Sequence, residues 1–178
     1  MPCPRGLIVG PFAMMTSELP RRRTLRWQGF DYGSNHAYFI TLCTANRLSL
    51  FGSVDPTGVV HRSAAGQIVT ETSDALPTRF PSVHLDAFVA RLDHTHGILT
   101  LEGKSESDGA PQMSLLPVVN ALKSISAIAI NRSLGRNGVA VWQRSFHDRV
   151  IRDDEEFAHL CWYIEENPVR WARKVAEQ

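Results

Sequence analysis

Between Leu85 and Leu101 the chain runs through two strand-like segments with no helix between them, Leu85 to Leu92 and His94 to Leu101. This adjacency constrains the fold more than any other feature. An earlier strand pattern, Tyr38-Phe39-Ile40-Thr41-Leu42-Cys43-Thr44, is rich in β-branched and aromatic residues and ends at Asn46 and Arg47. Gly52, Asp55, Pro56 and Gly58 supply turn chemistry after it. Ser63 as N-cap, with Ile68, Thr72 and Ala75 at helical spacing, predicts a helix over residues 63–77, closed by Pro77. Residues 102–112 are polar and turn-rich, a loop.

A second helix is predicted from near Ser114, with Pro117 in its first turn, where a missing N–H is tolerated. Leu115, Val118, Leu122, Ile125 and Ala129 mark its apolar face, and Gly135 and Gly138 break it. Residues 139–152 carry a mixed pattern. A last helix spans about Asp153 to Glu166. Asp153 or Asp154 can cap it, Glu155 and Glu156 suit its positive end, and Phe157, Leu160, Cys161 and Ile164 form an apolar stripe. The order strand, helix, strand, strand, helix, helix does not alternate strictly, so an α+β fold with a mostly antiparallel sheet is expected. The 178 residues suit one domain, 21–178, behind a poorly ordered leader of residues 1–20.

Charge narrows the function classes. Lys plus Arg is 19 and Asp plus Glu is 18, so any affinity for phosphate must come from local clustering rather than net charge. Three cysteines without a Cys-x-x-Cys pair argue against a disulfide framework and against a zinc ribbon, and fit a reducing, cytoplasmic setting. No apolar run approaches the roughly 18 residues that would span a membrane.

Three patterns could carry chemistry. In Asp93-His94-Thr95-His96-Gly97 the two histidines stand two apart, on one face of a strand, where both imidazoles can approach one cation. On the last helix, His159, Tyr163 and Asn167 follow one another at four-residue spacing and share a face. A tyrosine hydroxyl there can form a covalent intermediate with phosphorus. The third is a set of cations and aromatics: Arg21, Arg22, Arg23, Arg26, Trp27, Tyr32, Arg47, Lys123, Trp142, Arg144, Arg149 and Arg152. Arginines hold phosphates and aromatics stack on unpaired bases. Each pattern alone has an ordinary reading too: two polar residues on a solvated strand, an interfacial tyrosine, and a solvated surface.

The windows FITLCTANR, LDHTHGIL, WQRSFHDRVIRDDEEF and YIEENPVRW occur in one order across residues 26 to 171. Together they resemble the single-tyrosine HUH transposase family, in its REP-associated tyrosine transposase branch. The resemblance implies a ferredoxin-like or RRM-like core with the histidine pair on a central strand. It implies His94, His96 and Asn167 as ligands of Mg²⁺ or Mn²⁺, and Tyr163 as nucleophile. The implied substrate is single-stranded DNA beside a hairpin of a REP-like repeat, cut to leave a 5′-phosphotyrosine and a free 3′-hydroxyl. The acting form would be a monomer or homodimer with no membrane attachment. The chain departs from the family at Thr95, where a bulky apolar residue is usual. Arg91-Leu92-Asp93 replaces a proline-containing lead-in, and Phe146, His147 and Arg149 follow the Trp-Gln-Arg window. Other readings are a catalytically silent hairpin binder, an RNA-binding domain with an RRM-like sheet, and a metal-dependent hydrolase that uses water.

Overall fold

The computed structural model describes residues 36–55, 59–102 and 113–176, with α4 side chains described as far as Glu166. Its elements run β1 (His36–Cys43), a 3-10 turn (Ala45–Arg47), β2 (Gly52–Val54), β3 (Val60–Arg62), α1 (Ala64–Asp74), α2 (Leu76–Arg79), β4 (Val83–Ala90), β5 (His94–Leu101), α3 (Leu115–Ser133), β6 (His147–Val150) and α4 (Asp154–Ala176). The main sheet has the order β4-β5-β1-β6 and is antiparallel throughout. With α1 between β1 and β4, and α3 between β5 and β6, this is the ferredoxin-like α+β arrangement that the sequence led one to expect. β5, which carries both histidines, lies inside the sheet between β4 and β1.

Strand alternation splits the side chains between two layers. Tyr38, Ile40, Leu42, Leu99 and Leu101 point to the side packed by α1 and α3, where they meet Val69, Val118, Leu122 and Ile130 in the larger core. On the other side Ile98 meets Leu160, Cys161 and Ile164 of α4, with Phe39, Val89, Phe157 and Tyr163 around them. A register shift between Leu85 and Ala87 on β4 lets Leu85 and Phe88 both face the larger core.

Several elements follow their local sequence closely. Ser63 caps α1, its Oγ accepting from the Gly66 N–H at 3.1 Å. Gly66 is required there for space: a Cβ would lie 2.2 Å from the Phe51 carbonyl oxygen. Asp153 caps α4, accepting from the Glu156 N–H at 2.7 Å, while Glu156 reaches back to the Arg152 N–H at 2.9 Å and pairs with Arg149.

Four expectations need correcting. The glycine- and proline-containing stretch after residue 52 holds a short hairpin, β2–β3, closed by the Asp55 N–H on the Val59 carbonyl at 3.0 Å. The mixed segment 139–152 contains β6, which forms by pairing with β1 rather than by any pattern of its own. The buried face of α3 is Leu115, Val118, Val119, Leu122, Ser126 and Ile130, and Ile125 is left exposed. It is rotated from the expected face because Ser126 is buried, donating to the Leu122 carbonyl and accepting from Trp142 Nε1. Finally, α4 does not end at Glu166 but continues through Pro168 to Ala176. Among the described residues, no helix is long and apolar enough to cross a membrane. The expected leader, residues 1–20, lies outside the described residues.

Candidate active site

The register of β5 decides which groups meet. His94 and His96 point to the α4 side, and their rings lie 4.8 Å apart between centroids. The same face of β1 brings Phe39, Thr41 and Cys43 alongside. Phe39 stacks on the His96 ring at 5.2 Å. The apolar stripe of α4 docks over β4 and β5 and delivers Tyr163 to this spot, its ring 5.5 Å from that of His96 and 6.3 Å from Phe39. Two histidines and a tyrosine separated by some seventy residues of sequence thus share one pocket of the sheet face.

Hydrogen bonds claim one nitrogen of each imidazole. His94 Nδ1 lies 2.6 Å from Asp93 Oδ1, and His96 Nδ1 lies 2.9 Å from Thr41 Oγ1. Because Asp93 is an ionised acceptor, His94 must donate from Nδ1, which leaves the lone pair on Nε2. The Thr41 hydroxyl can accept from His96 in the same way. The turn that carries Asp93 is held from three sides. The Thr44 N–H and Oγ1 both donate to the Asp93 carbonyl, at 2.8 and 3.0 Å, and the Phe51 N–H donates to the Leu92 carbonyl at 2.9 Å. Arg47 pairs with Asp93 Oδ2 at 3.3 Å, from a turn in which Asn46 and Arg47 both adopt φ of 55°. Two adjacent non-glycine residues in that region are strained, a pattern concentrated at functional sites.

Burial, the leading cause in both, disfavours the charged form of the two imidazoles. Burial, then the charges of His94 and Arg91, pushes His96 down to about 3. Burial also lowers His94, against the opposing pull of Asp93. Burial alone would raise the Asp93 carboxyl, but the hydrogen bond and charge of His94, together with Arg47, bring it below the usual range. Neutral imidazole with the second nitrogen tied to a carboxylate or hydroxyl is the state in which histidine binds a divalent cation. The pair therefore suits a metal as donors. Among the described residues, no third His, Cys, Asp or Glu joins them. The amide of Asn167, one turn beyond Tyr163 on α4, lies outside the described side chains.

The other expected site residues are scattered. Arg149 shares the α4 face of the sheet but is paired with Glu156, and Arg152 is exposed at the start of α4. Lys123 sits on α3, across the sheet from the histidines, donating to the carbonyls of Gln143 and Arg144 at 2.7 and 2.9 Å. Arg144 is exposed beside it. Trp142 is 8% exposed and packs on Phe51, so it is a core residue rather than a stacking platform. His159 is exposed, and its ring lies 6.2 Å from that of Trp162. Arg21, Arg22, Arg23, Arg26, Trp27 and Tyr32 lie outside the described residues. Sequence reasoning missed Thr41 and Phe39 as neighbours of the site, because each enters through strand register rather than through a local pattern; Asp93 stood in the histidine motif, but its role as the partner of His94 was not assigned.

The architecture matches that of a REP-associated tyrosine transposase solved bound to a REP hairpin, with a TM-score of 0.54 over 86% of this chain and 73% of that one, at 19% identity. The chain has the fold of that transposase. A candidate transposase from Deinococcus radiodurans R1 aligns at a TM-score of 0.48, with 19% identity over 83% of this chain and 97% of that one. In sequence, an uncharacterized protein of Haemophilus influenzae is 29% identical over 162 residues, which is 84% of this chain and 89% of the relative. No protein-family model matches the chain. In this chain the fold brings His94, His96 and Tyr163 together on the α4 face of the sheet.

Proposed function

We propose that this protein is a transposase-type nuclease that cuts single-stranded DNA next to a hairpin, with Tyr163 as the attacking group. The observation that carries the reading is the approach of the Tyr163 ring to within 5.5 Å of His96, between elements far apart in sequence. In the reaction Tyr163 Oη bonds to phosphorus and the P–O3′ bond breaks. The phenolic proton is lost, the departing 3′-oxygen takes one up, and a 5′-phosphotyrosine and a 3′-hydroxyl result. His94 and His96, with Asn167, would hold Mg²⁺ or Mn²⁺ through the nitrogens that Asp93 and Thr41 leave unclaimed. A bound cation of that kind polarises a phosphoryl oxygen and orients the attack. Phe39 and the α4 stripe pack around Tyr163, which is half-buried.

The hairpin-bound transposase of the same fold makes a REP-like hairpin with a single-stranded flank the substrate to try. The decisive experiment incubates the full chain with such an oligonucleotide and Mn²⁺ and runs a denaturing gel. A protein–DNA band that is absent from Tyr163→Phe is expected. A band that persists in Tyr163→Phe means that another residue attacks. Cleavage without a band points to water as the nucleophile, and tight hairpin binding without cleavage to a silent binder.

A further inference from the structure

The turn after β1 is built against the backbone preference of one of its own residues. Asn46 and Arg47 both adopt φ of 55°. Asparagine visits that region readily, but the Cβ of an arginine crowds the neighbouring carbonyl there. A chain reversal alone would be met by glycine at position 47 without that penalty. An arginine kept in such a conformation points to a task for its side chain. Its ion pair names the target: Nη1 lies 3.3 Å from Asp93 Oδ2.

The rest of the turn is fixed to the same place. Leu92 and Asp93 form the two-residue turn between β4 and β5, closed by the Arg91 N–H on the His94 carbonyl at 2.8 Å. Thr44, fully buried, ties the two turns together. Its N–H donates to the Asp93 carbonyl at 2.8 Å, and its Oγ1 is shared between the Asp93 and Leu48 carbonyls at 3.0 and 2.8 Å. The backbone of Asp93 is thus held by Thr44, and its carboxylate by Arg47, three residues further on. The other carboxylate oxygen, Oδ1, lies 2.6 Å from His94 Nδ1. Arg47, Asp93 and His94 form one line of contacts, from a surface side chain that is 58% exposed to the histidine pair.

We infer that Arg47 is a positioning residue, held in a strained turn so that it fixes the Asp93 carboxylate on His94. The last torsion of an aspartate is soft, so a carboxylate tied at one oxygen can swing. Tied at both, it presents Oδ1 to His94 Nδ1 in one direction, and the lone pair stays on Nε2. The inference rests on the reading of His94 as a cation ligand, but part of its test needs no cation.

The test compares Arg47→Gln, Arg47→Lys, Arg47→Ala and Arg47→Gly in the full chain. In the metal-free protein, NMR of nitrogen-labelled histidine follows the exchange of the His94 Nδ1 proton with water. Exchange should quicken about threefold in Arg47→Gln, the size an exposed ion pair allows, and Arg47→Lys should recover part of the protection. Mn²⁺ affinity, measured by calorimetry, should fall by a similar factor in Arg47→Gln. Added to Asp93→Asn, the same change should cause no further loss, because its effect travels through that carboxylate. Arg47→Gly should melt at a higher temperature than Arg47→Ala, while the two bind Mn²⁺ equally weakly.

Wild-type exchange and affinity in a folded Arg47→Gln chain overturn the proposal, as does an equal loss in the Asp93→Asn background. A wild-type chain without a protected His94 Nδ1 proton overturns it too. A melting temperature no higher in Arg47→Gly than in Arg47→Ala counts against the strain, and so against the reason for an arginine there. Should Arg47→Gln not fold, Arg47→Lys against Arg47→Gly carries the same comparison. If the wild-type chain takes up no Mn²⁺, the ligand reading fails, and the exchange measurement alone decides for Arg47.

Discussion

On the α1/α3 side the central strands present Tyr38, Ile40, Leu42, Leu99 and Leu101, all essentially solvent-free. On the α4 side the same two strands present Phe39, Thr41, His94 and His96, with a smaller apolar cluster around Ile98. One sheet thus carries a layer built for packing and a layer with polar groups, in which one nitrogen of each imidazole is hydrogen-bonded. The contrast separates two kinds of cost. On the proposed function, loss on the first side costs stability and loss on the second costs chemistry.

The largest expected effect tests that division directly. His96→Ala should abolish Mg²⁺- or Mn²⁺-dependent cleavage while the chain still unfolds cooperatively. Leu99→Ala, three residues along the same strand, should cost about 3 kcal/mol of stability and spare the chemistry of the folded fraction. Chemical denaturation paired with an adduct assay on both variants checks this, and full cleavage by His96→Ala would break the comparison.

The next effect sharpens the second side. Thr41→Val and Asp93→Asn each remove a partner that orients an imidazole, so Mn²⁺ affinity should fall roughly 10- to 100-fold. Thr41→Ser should recover most of it. Calorimetric titration of the metal-free chain measures this without DNA, and unchanged affinity in Thr41→Val would mean that His96 needs no help in choosing its tautomer.

Acid should separate the two sides as well. His96 stays neutral in the folded chain down to about pH 3, whereas in the unfolded chain it protonates near its ordinary value of 6.5. Its lowered folded value means that the unfolded state binds the extra proton. Stability is therefore complete above about pH 6.5 and declines as the pH falls toward 3, by up to about 1.4 kcal/mol per pH unit. His94 adds in the same direction. Urea unfolding in EDTA between about pH 7 and pH 4 should show a shallower decline in His96→Gln than in wild type. Equal slopes would mean that the ring is more solvated than its packing against Phe39 and Tyr163 implies.

The smallest effect returns to the packing side. Thr95 lies between the two histidines in sequence but faces the larger core, fully buried, its hydroxyl without a hydrogen-bond partner among the described residues. Thr95→Val removes that hydroxyl at nearly constant volume and should stabilise the chain by about 1 kcal/mol, read from the unfolding midpoint, with adduct formation unchanged. A loss of stability would reveal a partner for the hydroxyl.

How much of this was legible in the sequence follows from the range of each interaction. The bounds of β5, the Ser63 cap of α1 and the α4 stripe were legible because each is written in neighbouring residues. β6 was not, since a four-residue edge strand is defined by its partner on β1. The buried face of α3 was misplaced because a polar residue, Ser126, takes a core position once Trp142 bonds to it. At the site, the histidine spacing and the tyrosine row were visible. Thr41 was not, because its contact with His96 depends on which strand lies beside which.

The two-residue turn between β4 and β5 also has a consequence in time. A hairpin so tightly closed forms in about 1–10 μs once its strands are available, setting Val89, His94 and His96 on one ribbon. α4, which carries Tyr163, is synthesised last among the described elements. On the proposed function, a growing chain therefore holds the histidine pair well before it holds Tyr163, and the proposed attack on DNA must wait until α4 has been made and docked.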